Sequence, residues 1–292
     1  MRRYAILEAP SVLGLWPSGV ERLPDVLLEL GLDERLGARR AGRIEPPVFD
    51  PVRDAATGLL NPKSIAEYSR KLADGVNGVL AEGSCPIVLG GDCSILLGSL
   101  LALRRNGRPG LLFLDGQADF YHPEAEPKGE AASMDLALAT GRGPELVTNL
   151  EGRRPLVRDE DVAVLGFRDA EDAAEHGSQP LAPGIFALPL DELRRRGAAP
   201  SAQRALDHLT RADGPERFWI HLDADVLDDA VMPAVDYRMP DGLSFEELTT
   251  VLRAALDRPE AVGLEVCIYN PVLDPTRAAA KGLVDALVSA LA

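Results

Sequence analysis

Short runs of apolar residues alternate with longer segments of helical periodicity along the whole chain. Such an alternation is typical of a parallel sheet that helices cover on both faces. The apolar runs predict strands at Tyr4–Leu7, Ile87–Leu89, Leu111–Leu114, Val162–Leu165, Ile185–Leu188, Phe218–Leu222 and Val262–Val266. The pattern therefore predicts an α/β fold with a central, mostly parallel sheet.

Three helices can be assigned together with their boundaries. Between residues 62 and 82, apolar residues recur every three or four positions, which predicts one buried helical face, with Asn61 as the N-cap. Ser244 and Glu247 form a capping-box pattern that predicts a helix through residue 255, and the last helix is predicted over 278–291. Because no linker or internal repeat divides the chain, we predict a single domain over residues 1–292.

Charge and cysteine content narrow the classes of function. The 292 residues include 46 acidic and 31 basic side chains, for a formal net charge of −15. This balance disfavours nucleic-acid binding and adhesion to an anionic membrane, and it suits cations or cationic small molecules as partners. The three cysteines are too few and too scattered for a disulfide framework, and no apolar run approaches the ~20 residues of a membrane span. We therefore expect a cytoplasmic protein.

Aspartates follow directly after two of the predicted strands. One strand leads into Asp115-Gly-Gln-Ala-Asp119 and another into Asp223-Ala-Asp225, while a third leads into Gly-Gly-Asp-Cys93-Ser. The carboxyl edge of a parallel sheet is where ligands bind, so these side chains are expected to converge there. Converging carboxylates repel one another unless a cation neutralises them. The sequence therefore predicts a divalent metal site, and two ions sharing carboxylates would form an arrangement that activates water.

Taken together, these segments resemble the arginase/agmatinase/formimidoylglutamase (ureohydrolase) superfamily over nearly the whole chain. Its GGDHS loop is similar to residues 90–94, its DAHxD motif to 115–119, its SxDxDxxDP motif to 221–229, and its strand ending in ExNP to 265–271. The resemblance implies a three-layer α/β/α sandwich with a sheet of about eight strands. It also implies a homo-oligomer, a trimer or a hexamer.

The resemblance further implies two Mn²⁺ ions and a hydroxide that attacks a planar guanidinium or amidine carbon. Asp115 and Asp223 would bridge both ions, and Asp119 would complete the first site with Cys93. Asp225 would complete the second site with Gln117. Asp119 would also pass a proton to the leaving amine and so act as a catalytic residue.

Several positions depart from the family pattern. Both histidine ligands are replaced, by Cys93 and Gln117, so Mg²⁺ or Zn²⁺ becomes an alternative to Mn²⁺. The family's further catalytic histidine falls near residues 130–133, where there is none, and its substrate-binding glutamate falls on Ile268. His122 is the candidate for a displaced catalytic imidazole. Glu265 and Glu130 are the candidate substrate-binding acids.

Two further histidine and cysteine assignments remain open. His221 lies two residues before Asp223, on the same side of its strand, and is either close to the metal or merely structural. Cys93 is a metal ligand, a redox thiol or a buried space-filling side chain.

The sequence thus supports two functional hypotheses. The first is a metal-dependent hydrolase that cleaves a C–N bond of a guanidino- or amidino-type substrate. The second is a non-catalytic or weakly metal-binding member of the family with a binding or regulatory role.

Overall fold

Eight parallel strands form one sheet in the computed structural model, which describes residues 2–292. The strands are β1 (Tyr4–Glu8), β2 (Arg39–Arg43), β3 (Cys85–Leu89), β4 (Pro109–Leu114), β5 (Val162–Leu165), β6 (Phe186–Leu188), β7 (Arg217–Asp223) and β8 (Ala261–Cys267). Their order across the sheet is β2-β1-β3-β8-β7-β4-β5-β6. Every pairing is parallel, so all carboxyl ends meet at one edge.

Helices cover both faces of this sheet. Within residues 2–292 they are α1 (Leu23–Glu29), α2 (Leu32–Leu36), α3 (Pro62–Ala81), α4 (Leu96–Arg104), α5 (Asp135–Ala139), α6 (Glu145–Thr148), α7 (Ala170–Glu175), α8 (Leu190–Arg196), α9 (Ala198–Leu209), α10 (Phe245–Leu256) and α11 (Ala278–Leu291). Helices α3 to α6 pack against one another and form one group. The second group consists of helices that pack in the order α8, α9, α10 and α11, with α1 and α2 against α11. The predicted three-layer α/β/α architecture is confirmed.

All seven predicted strands are present, and the strand that the sequence pattern missed is β2. Its sequence, Arg-Arg-Ala-Gly-Arg, has no apolar run, because this strand pairs only with β1 at the edge of the sheet and its side chains are largely exposed. The periodicity of hydrophobic residues reports burial, and an exposed edge strand has little of it.

The helix boundaries agree with the sequence, with one correction to a cap. Ser244 and Glu247 form both hydrogen bonds of the capping box. Asn61 precedes α3 as predicted, but its side chain makes no capping bond. Instead its amide oxygen accepts a hydrogen bond from the backbone N–H of Asp50, and its amide nitrogen donates to the carbonyl of Leu13. The side chain therefore ties two loops together.

The central strands β4, β7 and β8 are buried along almost their whole length and end near the middle of the carboxyl edge. Their register places Phe113, His221 and Glu265 side by side in one row. Asp223 and Cys267 pair in the row two residues further along, on the same face. Among residues 2–292, no helix combines the length and apolar character that crossing a membrane requires.

Candidate functional site

Four predicted aspartates lie together at the carboxyl ends of β4 and β7. Asp223 is the last residue of β7, and Asp225 follows in the next turn, where its carboxylate accepts a bond from the Gly116 N–H at 3.0 Å. Asp115 directly follows β4, and Asp119 lies in the same loop with a backbone φ of 45°. All four side chains are buried, with at most 4% of each residue exposed.

A fifth buried carboxylate, Asp135, joins this group, and the sequence did not identify it. It is the first residue of α5 and is fully buried. An aspartate in the first turn of a helix is common as a partner of the helix dipole, so its sequence position gave no sign of a site. We call Asp115, Asp119, Asp135, Asp223 and Asp225 the aspartate cluster.

The environment of the aspartate cluster disfavours its ionised form. Burial raises the pKa of all five carboxyl groups, and the neighbouring carboxylates raise that of Asp115, Asp119, Asp135 and Asp223 further, well above the ordinary range. Protein cations do not compensate: Arg168 lowers the pKa of Asp225 but donates its hydrogen bond to the backbone carbonyl of that residue. The cluster therefore holds more negative charge than the chain itself balances.

Unpaired oxygen atoms mark where a cation would bind. Both carboxylate oxygens of Asp135 and one of Asp115 are buried and have no hydrogen-bond partner. A buried carboxylate oxygen without a donor is costly, so these atoms fit a bound cation. The donor atoms of Cys93, Asp119 and Asp135 lie within 4.8 Å of one another, and so do those of a second group that includes Cys93, Asp115 and Asp223. Either group could hold an ion.

Cys93 lies at the floor of the site, and its thiol donates to Asp223 Oδ2 over 2.9 Å. Burial raises its pKa well above the ordinary value, and the nearby Cys267 and Asp223 raise it further. A buried, protonated thiol is a poor nucleophile, so this environment does not favour the redox alternative. Within residues 2–292, all three cysteines are free and buried.

Two connected cavities open from the aspartate cluster. The inner cavity, about 30 Å³, is lined by residues that include Cys93, Asp119, Asp223 and Asp225. The outer groove, about 350 Å³, extends past Tyr121, Glu126, Lys128, Asp169 and Asp172. Gln117, Asp119, Glu130, Ser133 and Tyr237 line both. The inner cavity thus has room for water or an ion beside the carboxylates.

Glu130 is one of the predicted substrate-binding acids, and it lies at the junction of the two cavities. It is buried, and its carboxylate accepts bonds from the Trp16 N–H at 3.3 Å and the Tyr237 hydroxyl at 3.0 Å. Lys128 in turn donates to the Tyr237 hydroxyl. This network fixes Glu130 in place beside the aspartate cluster.

The other two predicted residues lie away from the cavities. His122 is partly exposed, and its Nδ1 lies 2.8 Å from Glu124 Oε2, so the structure does not bring its side chain into either cavity. Glu265 is fully buried beneath the cluster within β8 and lines neither cavity. Near the expected positions of the family histidine and glutamate, the inner cavity is lined by Glu130, Ala132, Ser133 and Ile268.

The loop after β5 also reaches the site, which the sequence analysis missed. Asp169 lines the outer groove and accepts a hydrogen bond from the Ala118 N–H at 3.1 Å. Burial raises its pKa to about 6. Arg168 beside it donates to backbone carbonyls that include those of Asp225 and Met239. This pair follows β5 after Gly166 and Phe167, so a search for charged residues within a few positions of the end of a buried strand would have found it.

Comparison with known proteins identifies the family. A model of the arginase family matches residues 17–292. The chain is 30% identical to the arginase of Bacillus subtilis (strain 168) over 294 positions, covering 99% of this chain and 98% of that one. The native arginase of Bacillus caldovelox at pH 5.6 has the same fold, with a TM-score of 0.88 and 26% identity over 100% of this chain and 98% of that one.

More distant solved structures share the fold alone. Proclavaminate amidino hydrolase from Streptomyces clavuligerus superposes with a TM-score of 0.71 at 17% identity, covering 100% of this chain and 92% of that one. The family model and the arginase of Bacillus subtilis both extend over most of the chain, including the four aspartates after β4 and β7. On this basis, the chain belongs to the arginase family.

Proposed function

We propose that this protein is a metal-dependent hydrolase that cleaves a C–N bond at the planar carbon of a guanidino- or amidino-type substrate. The observation that carries the proposal is the aspartate cluster, five buried carboxylates with unpaired oxygens beneath an open cavity. Membership of the arginase family supports the same chemistry, because the relatives named above are arginases.

The residues of the site have separable tasks in this reaction. A divalent ion, when bound, supplies the activated water by lowering its pKa towards ~7. Asp119 lines both cavities, so it is the member of the cluster that can accept a proton from that water and return it to the leaving amine. The buried walls exclude bulk solvent, which strengthens the interaction between the carboxylates and a cationic reacting group.

The outer groove suits a cationic substrate. Its acidic side chains include Glu126, Asp169 and Asp172, against one lysine, Lys128. A guanidinium or amidinium group is a planar cation that carboxylates bind through charge-assisted hydrogen bonds. Glu130, held at the junction of the cavities, is positioned to contact such a group as it enters the inner cavity.

Two departures from the family pattern favour the second hypothesis, a binding or regulatory protein without turnover. The family histidine falls near residues 130–133, where there is no histidine, and the family glutamate falls on Ile268, which lines the inner cavity. An isoleucine side chain can neither transfer a proton nor hold a cationic group. This observation predicts slower turnover than at a family site that has both the histidine and the glutamate. At the extreme, it predicts no turnover.

Release of urea or ammonia tests the proposal. The full chain, supplied in turn with Mn²⁺, Zn²⁺ and Mg²⁺, is assayed with arginine, agmatine, guanidinobutyrate and formimidoylglutamate. We expect turnover of at least one compound, and a loss of at least about 100-fold in Asp119→Asn, since general acid–base catalysis contributes about that much. Asp213→Asn, the same change at an exposed position, is the matched control.

The possible results separate the two hypotheses. Turnover that is equal in Asp119→Asn would contradict the role of that residue. Specific binding of a guanidine by a metal-loaded chain that turns over none of the four compounds would establish the non-catalytic alternative.

The resemblance also predicts properties beyond the site. We propose Mn²⁺ as the first ion to test, a homo-oligomer of trimeric or hexameric size, a single domain over residues 1–292, and a cytoplasmic location. Metal analysis after purification and light scattering in solution measure the first two.

A further inference from the structure

We propose that His221 is a metal ligand, and that it forms with Cys93, Asp115 and Asp223 a zinc-type position deep in the aspartate cluster. This position differs in donor set from the paired manganese sites that the family resemblance implies. The inference rests on the proposed function only in that both require a bound metal ion. It does not depend on which reaction the site catalyses.

The imidazole ring of His221 is held in one orientation. Phe113, its neighbour in the same row of the sheet, stacks on it with ring centroids 4.6 Å apart and an interplanar angle of 10°. On the other side Glu265 Oε1 lies 2.7 Å from Nδ1 of the ring. The second oxygen of Glu265 accepts a hydrogen bond from the Ser99 hydroxyl at 2.5 Å. In this arrangement the buried Glu265 positions the imidazole ring of His221.

The hydrogen bond to Glu265 places the proton of the neutral ring on Nδ1. Metal-ligating histidines almost always make such a bond from the nitrogen that does not bind the metal. It leaves the lone pair of Nε2 free. His221 Nε2 is buried without a hydrogen-bond partner, 3.9 Å from both Asp115 Oδ2 and Asp135 Oδ2, whose oxygens also have none. Three unpaired buried atoms thus face one another.

The donor atoms already lie near the spacing that an ion needs. Those of Cys93, Asp115, His221 and Asp223 are all within 4.8 Å of one another. Zinc bonds of about 2.0–2.3 Å place tetrahedral donors roughly 3.5 Å apart, so small side-chain rotations close the site. Cys93 and Asp223 also line the inner cavity, whereas Asp115 and His221 lie behind them. An ion held here has protein donors behind it and the cavity in front.

The chemistry of the donors selects the metal. A thiolate and an imidazole are ligands that Zn²⁺ prefers, whereas Mn²⁺ and Mg²⁺ prefer oxygen. The remaining carboxylates, with the Gln117 amide as the only addition, form a weaker second position that suits a hard cation. His221 on β7 thus adds an imidazole to the position that contains Cys93, while the second position keeps the Gln117 amide in place of the family histidine.

Zinc binding by the full chain tests the proposal. We expect one tightly bound Zn²⁺ per chain, measured by competition with a chromophoric chelator, and X-ray absorption at the zinc edge with one sulfur and one imidazole among the ligands. Co²⁺ in place of zinc should give a thiolate-to-metal charge-transfer band that Cys93→Ser abolishes. Oxygen ligands alone at the zinc edge, or no bound zinc, would overturn the proposal.

Variants then separate His221 from the rest of the cluster. His221→Gln should lower zinc affinity at least about 100-fold, while Glu265→Gln, which leaves the ligand but loosens it, should lower it about 10-fold. His208→Gln, a half-buried histidine stacked on Phe186 outside the site, is the matched control and should bind zinc as the wild type does.

The test also distinguishes this inference from the proposed function. Unchanged zinc affinity in both His221→Gln and Glu265→Gln would mean that His221 does not bind the ion, and would overturn the inference while leaving hydrolysis possible. Tight zinc through Cys93 and His221 in a chain that hydrolyses no guanidine would support the inference and contradict the proposed function. If His221→Gln does not fold, Glu265→Gln and the zinc-edge spectrum of the wild type decide the matter.

Discussion

Buried carboxylates occur at both ends of the same sheet, and the chain treats them differently. At the amino edge, Asp161 is fully buried just before β5, and Arg108 contacts both of its oxygens at 2.5 and 2.7 Å. Arg211 adds a third contact at 2.8 Å. At the carboxyl edge, the five carboxylates of the aspartate cluster share no arginine or lysine salt bridge within residues 2–292, and three of their oxygens have no partner.

The difference separates a structural charge from one prepared for a ligand. Where a buried carboxylate only supports the fold, the chain provides the opposite charge itself, because an unpaired buried ion is costly. Where the carboxylates line a cavity and lack that charge, the missing cation must come from solution or from the substrate. The comparison can be tested at each end.

The largest effect on stability is expected at the amino edge. Arg108→Met leaves Asp161 with Arg211 alone, and removing one partner of a buried ion pair costs about 3 kcal/mol of unfolding free energy. Urea denaturation measures this loss, and Arg195→Met, at an exposed arginine, should change it little. The loss should be the same with and without added zinc. A loss that metal reverses would mean that the two ends are not independent.

A slightly smaller effect is expected from metal at the carboxyl edge. An ion at a concentration 100 times its Kd stabilises the folded chain by about 2.7 kcal/mol. For a chain of this length that corresponds to a rise of roughly 5 °C in Tm, measured by thermal unfolding with and without chelator. Asp223→Asn should abolish the rise, whereas Asp213→Asn should keep it. Equal Tm values for the metal-free and metal-loaded wild type would contradict the interpretation of the cluster.

The stability of the metal-free chain should decrease as pH rises. The folded pKa values of the cluster lie above the ordinary values of an unfolded chain, so the folded state binds these protons more tightly. Stability is then highest when the carboxyls are protonated, and it falls as pH rises through the raised pKa values. Tm of the metal-free protein should therefore fall as pH rises above the ordinary range of carboxyl pKa values. Saturating metal should remove this trend, and a metal-free Tm that rises with pH would contradict it.

The smallest effect is expected from restoring a single ligand. Gln117→His places an imidazole at the second metal position, and its affinity for Mn²⁺ should rise about tenfold, since imidazole binds a transition metal better than an amide does. After the first site has been filled with zinc, titration calorimetry with Mn²⁺ measures binding at the second position. Gln203→His, on the exposed surface of α9, controls for a new histidine elsewhere. An unchanged affinity for Mn²⁺ at the second position would mean that residue 117 does not contact that ion.

The sequence predicted the parts of this molecule that local pattern determines. Buried strands such as β4 and β7 are apolar runs, and Asp115 and Asp223 stand out because they follow those runs directly. The polar edge strand β2 and the partly exposed position of His122 depend on what covers them, which no local pattern records. The fold and the family were thus predictable from the sequence, and the conformation of individual loops was not.

The part that Glu265, Asp135 and His221 play in the site depends on contacts between residues that are far apart in the sequence. His221 and Glu265 are 44 residues apart and meet only because β7 and β8 pair in a particular register. Asp135 reaches the cluster from the first turn of α5, on a different layer. Period-two alternation placed His221 on the side of Asp223, but its partners required the order of strands in the sheet.

The two cavities share Gln117, Asp119, Glu130, Ser133 and Tyr237 along their common wall. The inner cavity, about 30 Å³, has room for little more than water or an ion, whereas the outer groove, about 350 Å³, has room for the body of a small molecule. A small molecule that contacts Asp119 therefore keeps most of its volume in the groove, and the walls of the groove, more than the carboxylates, distinguish one molecular tail from another.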